Sequence, residues 1–194
     1  MTNVAAMITA SYCQTHRRIL AFAEKLADEQ MSWRASPNDL SIAFHLWHTA
    51  RWADYFQAAI PGMTEELQRR LGPGRQIWEH EGLARQWGFD APGLGYAATG
   101  MHMDGDLAIT LRFPDPRVLL AYARQAFAAA EHAVGAIDEQ QFQATEQPQP
   151  LTEGIWGGST VGQAIVDHII HDNRHLGMME CLLGFQTKSG TATV

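Results

Sequence analysis

Apolar side chains recur at the spacing of an α-helix in four long stretches of this chain, and each stretch predicts an amphipathic helix. The predicted helices cover residues 3–29, 41–59, 115–137 and 160–184. Their inward faces are expected to carry Ile8, Tyr12, Ile19, Ala23 and Leu26 in the first helix, Phe44, His45, His48, Trp52, Tyr55 and Phe56 in the second, Leu119, Tyr122, Ala126, Ala130, Val134 and Ile137 in the third, and Ala164, His168, His171, His175, Met178 and Leu182 in the fourth.

Capping residues mark the starts of three of these helices. Ser41 can accept a hydrogen bond from the first turn of the second helix. Asp115 can do the same for the third, with Pro116 at its first helical position. Thr160 and Gln163 resemble a capping box at the start of the fourth helix. The caps therefore agree with the boundaries that the apolar spacing indicates.

The connections between the long helices differ in length. Pro61-Gly62 is expected to end the second helix, and short helices are expected over residues 65–71 and 77–87. Residues 88–114 are rich in glycine and predict a long connection, with an extended piece at 107–111. Four helices with connections of unequal length predict an all-α fold, a four-helix bundle.

Length and charge limit the number of domains and the classes of partner that we expect. The 194 residues suit one domain, which we expect at 1–184, with a polar loop up to Ser159 and a C-terminal tail at 185–194. The net charge is −7, and the only lysines are Lys25 and Lys188, so we expect no nucleic-acid partner. No run of 18 apolar residues occurs, so we expect no membrane partner either.

The cysteines and the N-terminus favour the cytoplasm. Cys13 and Cys181 lie near opposite ends of the chain and give only a weak disulfide signal, so we expect both to be reduced. The N-terminus has no apolar run behind a basic flank, which predicts no signal peptide. We therefore expect a cytoplasmic protein.

Three of the nine histidines, His168, His171 and His175, fall within eight residues of the fourth predicted helix. The i, i+4 spacing of His171 and His175 puts two imidazoles on one helix face, where they can bind one metal ion. Three buried imidazoles are unfavourable without partners, and a metal ion satisfies them. A catalytic site needs a third ligand, and the second helix offers two inward candidates, His45 and His48, between which the spacing does not decide.

The order and spacing of several short motifs resemble the DinB-like superfamily. The motifs are Ser41-Ile-Ala-Phe-His-Leu-Trp-His-Thr-Ala-Arg-Trp-Ala-Asp54, His171-Asp-Asn-Arg-His-Leu-Gly177, the Trp33-Arg34 loop and the segment that begins Ile77-Trp-Glu-His-Glu-Gly-Leu. Together they span most of the chain. The resemblance implies a four-helix bundle that often forms a homodimer, with a nickel or zinc site. By that resemblance, the metal ligands map onto His48, His171 and His175.

The resemblance also implies a class of chemistry. Activities known in this superfamily include maleylpyruvate isomerase and S-transferases that use bacillithiol, mycothiol or glutathione. We therefore expect a metal-dependent enzyme with a low-molecular-weight thiol, with a hydrolase that uses metal-bound water as a second version. No glutamate of an HExxH motif stands between His171 and His175, so a protease is not expected. The alternative is a non-catalytic, metal-stabilised bundle that binds a small molecule or responds to stress.

Five further residues are candidate outer partners of the ligands or parts of a substrate pocket: His45, His168, Asp167, Arg51 and Arg174. The aspartate, one turn before a ligand histidine, is either the partner of its second ring nitrogen or a solvated acid. The two arginines either receive an anionic substrate or lie along a helix surface with their charged heads in water. Of the remaining histidines, His16 is expected to be a satisfied structural residue, and the surface is expected to carry His80, His102 and His132.

Overall fold

The structure of the protein, a computed structural model, describes residues 3–145 and 160–188. Within these two ranges it contains ten α-helices and no β-strand, so the predicted all-α class is confirmed. The helices are α1 (Val4–Ala23), α2 (Asp28–Ser32), α3 (Ile42–Met63), α4 (Glu65–Leu71), α5 (Ile77–His80), α6 (Leu83–Gln86), α7 (Gly105–Ala108), α8 (Pro116–Gly135), α9 (Glu139–Gln143) and α10 (Val161–Thr187), and a 3₁₀ turn covers Ala91–Leu94. Most of the polar loop predicted up to Ser159, and most of the predicted tail, lie outside the described residues.

The four long helices α1, α3, α8 and α10 form the bundle. Helix α1 packs against α8 and α10, and α3 packs against the same two helices, so the four close into a ring. Every residue that the apolar pattern placed inward on the second and third long helices is buried. The core therefore sits where amphipathic spacing predicts it.

Helix α3 is enclosed on nearly all sides. All of its residues are buried except Gln57 and Gly62, which is expected of a helix without a polar face. The neighbours that cover it are α8, α10 and the connection over residues 88–114. None of the described helices has both the length and the apolar character needed to cross a membrane.

The predicted caps are present at all three helix starts. Ser41 accepts a backbone hydrogen bond from α3 at 3.2 Å, Asp115 accepts one from α8 at 2.8 Å, and Thr160 accepts one from α10 at 3.1 Å. The capping box at α10 is only half formed, because the side chain of Gln163 donates to Asp167 instead.

Two predicted helix ends near the N-terminus are wrong. The first helix ends at Ala23, and the chain then turns into α2, whose Gln30 side chain accepts the N–H of Ala27 at 2.8 Å. The second long helix continues through Pro61 to Met63. Both of these residues are buried, and we attribute the extra turn to that packing, which outweighs the single backbone hydrogen bond that proline removes.

The connection over 88–114 is not extended where a strand-like piece was predicted at 107–111. A short helix, α7, begins after Asp104, whose side chain accepts the N–H of Leu107 at 3.0 Å. The alternation of apolar residues in this piece is typical of a β-strand, but the capping aspartate before them favours a helical turn. The earlier short helix at 65–71 is confirmed as α4, whereas 77–87 is split into α5 and α6 by Gly82 at a φ of 64°.

Helix α10 departs from prediction in its last turns. It runs past the predicted end at Gly184, into the predicted tail, and stops only where Lys188 adopts a left-handed φ of 59°. Met178 was predicted to face inward but is 40 % exposed, and the buried positions nearby are Leu176 and Met179. The reason is that α10 packs between α1 and α3, which shifts its buried face relative to the histidine stripe.

Candidate metal centre

The bundle brings His48 of α3 against His171 and His175 of α10. The Nε2 atoms of His48 and His171 are 3.1 Å apart, and one ligand nitrogen from each of the three histidines lies within 4.8 Å of the others. The ring centroid of His175 is 4.5 Å from that of His48 and 4.6 Å from that of His171. This geometry can hold one metal ion, and we call these three residues the open centre.

The hydrogen bonds of the outer ring nitrogens fix which atoms face inward. The Nδ1 atom of His48 donates to the backbone carbonyl of Thr99 at 2.5 Å, and the Nδ1 atom of His171 donates to a carboxylate oxygen of Asp172 at 3.0 Å. In neutral rings the two Nε2 atoms are then lone-pair acceptors that face each other. Two acceptors at 3.1 Å repel, and a cation bound by both removes that repulsion. The donor set therefore fits a metal ion.

The environment keeps two of the three imidazoles, those of His48 and His175, in the neutral form that binds metal. Burial, followed by the neighbouring His171 ring, lowers the pKa of His48 to about 3. Burial, followed by the rings of His48 and His171, lowers the pKa of His175 to about 2. Near pH 7 both rings are uncharged, and a divalent ion does not have to displace a proton to bind them.

His45, the other inward candidate on α3, lies behind the open centre. Its Nδ1 atom is 3.0 Å from the Nδ1 atom of His175, so one of these two rings donates to the other. Burial lowers the pKa of His45 to about 4, so it too is neutral near pH 7. This position suits a residue that orients His175.

The carboxylate that contacts the open centre is Asp172, not Asp167. Asp172 is completely buried and accepts from His171, whereas Asp167 accepts from Gln163. Burial alone raises the pKa of Asp172, but the histidines around it, His168 foremost, hold that pKa well below its usual range. The carboxylate therefore stays ionised and can fix the orientation of the His171 ring.

Arg51 is buried inside the protein and is not available to an anionic substrate. Its guanidinium donates to the carboxylate of Asp54 at 2.9 Å and to the side-chain oxygen of Gln76 at 2.8 Å. It also donates to the carbonyls of Ala97 and Ala98, both at 2.9 Å. With the Tyr122 hydroxyl at 3.1 Å, these five acceptors leave Arg51 no role in binding substrate, so the structure corrects that interpretation. The other candidate, Arg174, is exposed on α10.

The connection over 88–114 forms a wall of the open centre. Ala97 and Ala98 have positive φ values of 47° and 53°, a conformation that residues other than glycine rarely adopt. The hydrogen bonds from Arg51 to both carbonyls hold this turn, and the next residue is Thr99, whose carbonyl accepts from His48. Arg51 therefore positions the backbone that orients a ligand histidine.

Gly100 allows the close approach of this wall. A Cβ atom there would lie 2.9 Å from the Trp47 ring and 3.2 Å from Nδ1 of His48, and the φ of 89° suits glycine. Sequence reasoning missed this contact, because a backbone carbonyl carries no sequence signal of its own. The glycine next to Thr99 is the one available sign of it.

The remaining histidines lie elsewhere. His168 is buried, stacks on Phe56 and lies 3.4 Å from Asp172, outside the open centre. His16 is buried on α1, whereas the surface carries, as predicted, His80, His102 and His132.

Solvent reaches the open centre from the α10 side. The side chain of His171 is 26 % exposed and His175 is partly exposed, whereas His48 is buried. Partial exposure of two ligands is compatible with an ion that keeps a coordination position for a small molecule.

Comparison with known proteins agrees with this fold. A family model described as the DinB superfamily matches residues 12–179. The chain belongs to the DinB superfamily. No curated protein matches it.

A similar solved structure is the crystal structure of the conserved protein of locus from Enterococcus faecalis. The two chains are 16 % identical, the match covers 95 % of this chain and 99 % of the other, and the TM-score is 0.64. At this identity the similarity shows that the two chains share a fold and nothing about the reaction.

Proposed function

We propose that this DinB-superfamily protein is a metal-dependent enzyme whose ligands are His48, His171 and His175. The observation that carries the proposal is the set of three inward imidazoles, two of them with their outer nitrogens already engaged and all three close enough to share one ion. Nickel and zinc are the ions that we expect, because an all-imidazole set suits both.

The charge of the ligand set favours a thiol as the bound reactant. Such an ion lowers the pKa of a bound water or thiol and polarises a carbonyl group. An imidazole that binds an ion through its lone pair carries no negative charge, so the three ligands themselves do not neutralise a divalent ion, which favours an anionic partner. We propose that this partner is a low-molecular-weight thiol and that the reaction is an S-transfer or an isomerisation.

Proton transfer gives a reason to rank hydrolysis second. A hydrolase needs a group that takes a proton from water. Asp172, the carboxylate that contacts the open centre, is completely buried and already accepts from His171. It orients a ligand and is not placed to receive a proton from a solvent-exposed water molecule.

The thiol proposal is tested on protein loaded with cobalt in place of the natural ion. Glutathione, mycothiol and bacillithiol are added in turn, and a sulfur-to-cobalt charge-transfer band is expected with at least one of them. A matched sample treated with chelator should give no band. If cobalt occupies the open centre and none of the three thiols produces a band, the thiol reaction is wrong, and hydrolysis and a non-catalytic, metal-stabilised bundle become the two remaining accounts.

Two further expectations remain proposals. We propose a homodimer, and the exposed face of α10, with Ile170, Met178 and Phe185, offers apolar surface for it. Sedimentation equilibrium should give twice the chain mass of 21.5 kDa, and a monomer at micromolar concentration would contradict it. We also propose a cytoplasmic location, in keeping with free thiols at Cys13 and Cys181.

A further inference from the structure

A second group of metal-binding side chains lies on the α1 side of α10. It consists of His16 from α1 and His168 and Asp172 from α10, and we call it the closed cluster. The three residues are 1 %, 2 % and 0 % exposed, so the cluster is shut off from solvent. The open centre uses none of its inward atoms.

Four buried nitrogen and oxygen atoms of the closed cluster have no hydrogen-bond partner among the described residues. They are Nε2 of His16, both ring nitrogens of His168, and Oδ2 of Asp172. Each buried polar atom left in this state costs about 1–3 kcal/mol. Several such atoms in one place are rare in a native protein and indicate a missing partner.

The spacing of these atoms matches ligands of one ion better than it matches hydrogen bonds. Oδ2 of Asp172 is 3.3 Å from Nε2 of His16 and 3.4 Å from Nδ1 of His168, without the alignment of a hydrogen bond. A tetrahedral ion with bonds of about 2.0–2.1 Å sets neighbouring ligand atoms about 3.3–3.4 Å apart.

The outer side of His16 has the arrangement usual for a metal-bound histidine. Its Nδ1 atom is 3.1 Å from a carboxylate oxygen of Glu131, to which it can donate. In a neutral ring this hydrogen bond leaves the Nε2 lone pair free to face Asp172. Glu131 therefore selects the tautomer that ligates.

We propose that His16, His168 and Asp172 bind a second divalent ion of the zinc class, which joins α1 to α10. We expect Tyr12 to complete the site, because its buried hydroxyl has no partner in the described part of the chain and its ring packs against both imidazoles, with centroid distances of 4.4 and 5.5 Å. One carboxylate oxygen of Asp172 then faces this ion while the other holds His171 of the open centre. The inference stands on its own geometry and does not depend on the proposed reaction.

The test counts zinc ions per chain by native mass spectrometry after refolding without a tag in the presence of zinc. Wild type is expected to bind two ions, His168→Gln one, His48→Gln one, and the double variant none. His132→Gln, which changes an exposed histidine on α8, is the matched control and should keep two.

One ion in wild type that is lost with His48→Gln and kept with His168→Gln would overturn the second site and leave the open centre intact. Two ions that both survive His168→Gln would overturn it as well. If His168→Gln does not fold, as judged by circular dichroism, anomalous diffraction from zinc-loaded wild-type crystals decides. A peak among His16, His168 and Asp172 is expected, and a peak at the open centre alone would contradict the proposal.

Discussion

The two histidine groups on α10 differ in charge and in access to solvent. The open centre, on the α3 side, has three histidines, two of which are partly exposed. The closed cluster, on the α1 side, combines two histidines with an ionised carboxylate, and all three residues are buried. A set of three imidazoles that solvent reaches suits an ion that meets a reactant, whereas a buried set that includes a carboxylate suits an ion that stabilises the fold. One helix thus carries two sites whose surroundings assign them different roles.

Replacing Arg51 should lower stability the most, because Arg51 holds the turn that forms a wall of the open centre, and the closed cluster has no such wall among the residues that the structure describes. Arg51→Met leaves the buried Asp54 without its ionic partner and releases the turn that presents Thr99 to His48. The free energy of unfolding in urea should fall by about 3–5 kcal/mol. Arg124→Met, which removes an exposed pair with Glu24, is the control and should cost less than about 1 kcal/mol. Equal losses in the two variants would show that the wall is not held in this way.

Asp172 is the residue that the two sites share, so its replacement should affect both. Asp172→Asn weakens the hydrogen bond that orients His171, and zinc affinity at the open centre should fall about 10–100-fold. It also removes the negative charge that the Asp172 carboxylate gives to the closed cluster. Asp167→Asn, which changes a carboxylate bonded only to Gln163 in the described contacts, should leave zinc titrations unchanged. A similar loss in both variants would assign the effect to helix charge in general.

In the metal-free protein, the free energy of unfolding should depend on pH with opposite sign for the histidines of the two regions. The folded-state pKa values of His45, His48 and His175 lie below the ordinary 6.5, at about 4, 3 and 2. Below pH 6.5 these residues therefore bind more protons in the unfolded state than in the folded state. As a result, the free energy of unfolding decreases as the pH falls from 6.5 towards 3.

His16 behaves in the reverse way. Although burial lowers the pKa of His16, the nearby carboxylates of Asp172 and Glu131 raise it above the ordinary value. The stability that His16 contributes is therefore full below pH 6.5 and is lost as the pH rises through the folded-state pKa. The free energy of unfolding is measured in urea with chelator from pH 4 to 8 and plotted against pH. His48→Gln should flatten the acid side of this curve, and His16→Gln should flatten its neutral side. The same change of slope in both variants would remove the distinction between the regions.

Gly177 should give the smallest effect, because it lies on the exposed side of α10. A Cβ atom there would meet no described residue within 4 Å, so Gly177→Ala should raise the free energy of unfolding by about 0.5–1 kcal/mol without changing zinc content. Thermal unfolding and metal analysis check both parts. A loss of stability or of zinc would mean that the outer face of α10 is occupied by a neighbour.

The parts of this structure that follow from sequence are those governed by local spacing. Caps such as Ser41 and Asp115 and the apolar stripe of α8 each depend on residues within a turn or two, and they were predicted correctly. The pairing of His171 and His175 follows from helical periodicity alone. The choice of His48 as the third member came from the family resemblance, and the structure places its ring against both of the others.

The parts that could not be predicted depend on packing between distant segments. Nothing local distinguishes Asp172 from Asp167, and only the position of α10 between α1 and α3 buries the former. Arg51 was interpreted as a surface or substrate residue because its acceptors, including Gln76 and the carbonyls after Tyr96, come from distant parts of the chain. The last turn of α3, beyond Pro61, is likewise fixed by burial, which overrides a local stop signal.

Metal content in a short series of variants tests the central claim most directly. Untagged wild type, His48→Ala, His171→Ala and His45→Ala are loaded with nickel or zinc, dialysed and analysed for metal per chain. The His48 and His171 variants should each bind one ion fewer than wild type, and His45→Ala should bind as many, since its ring lies behind His175. A wild type that takes up neither ion, or that holds the same amount as the His48 and His171 variants, would contradict the three-histidine centre and the enzyme proposed on it.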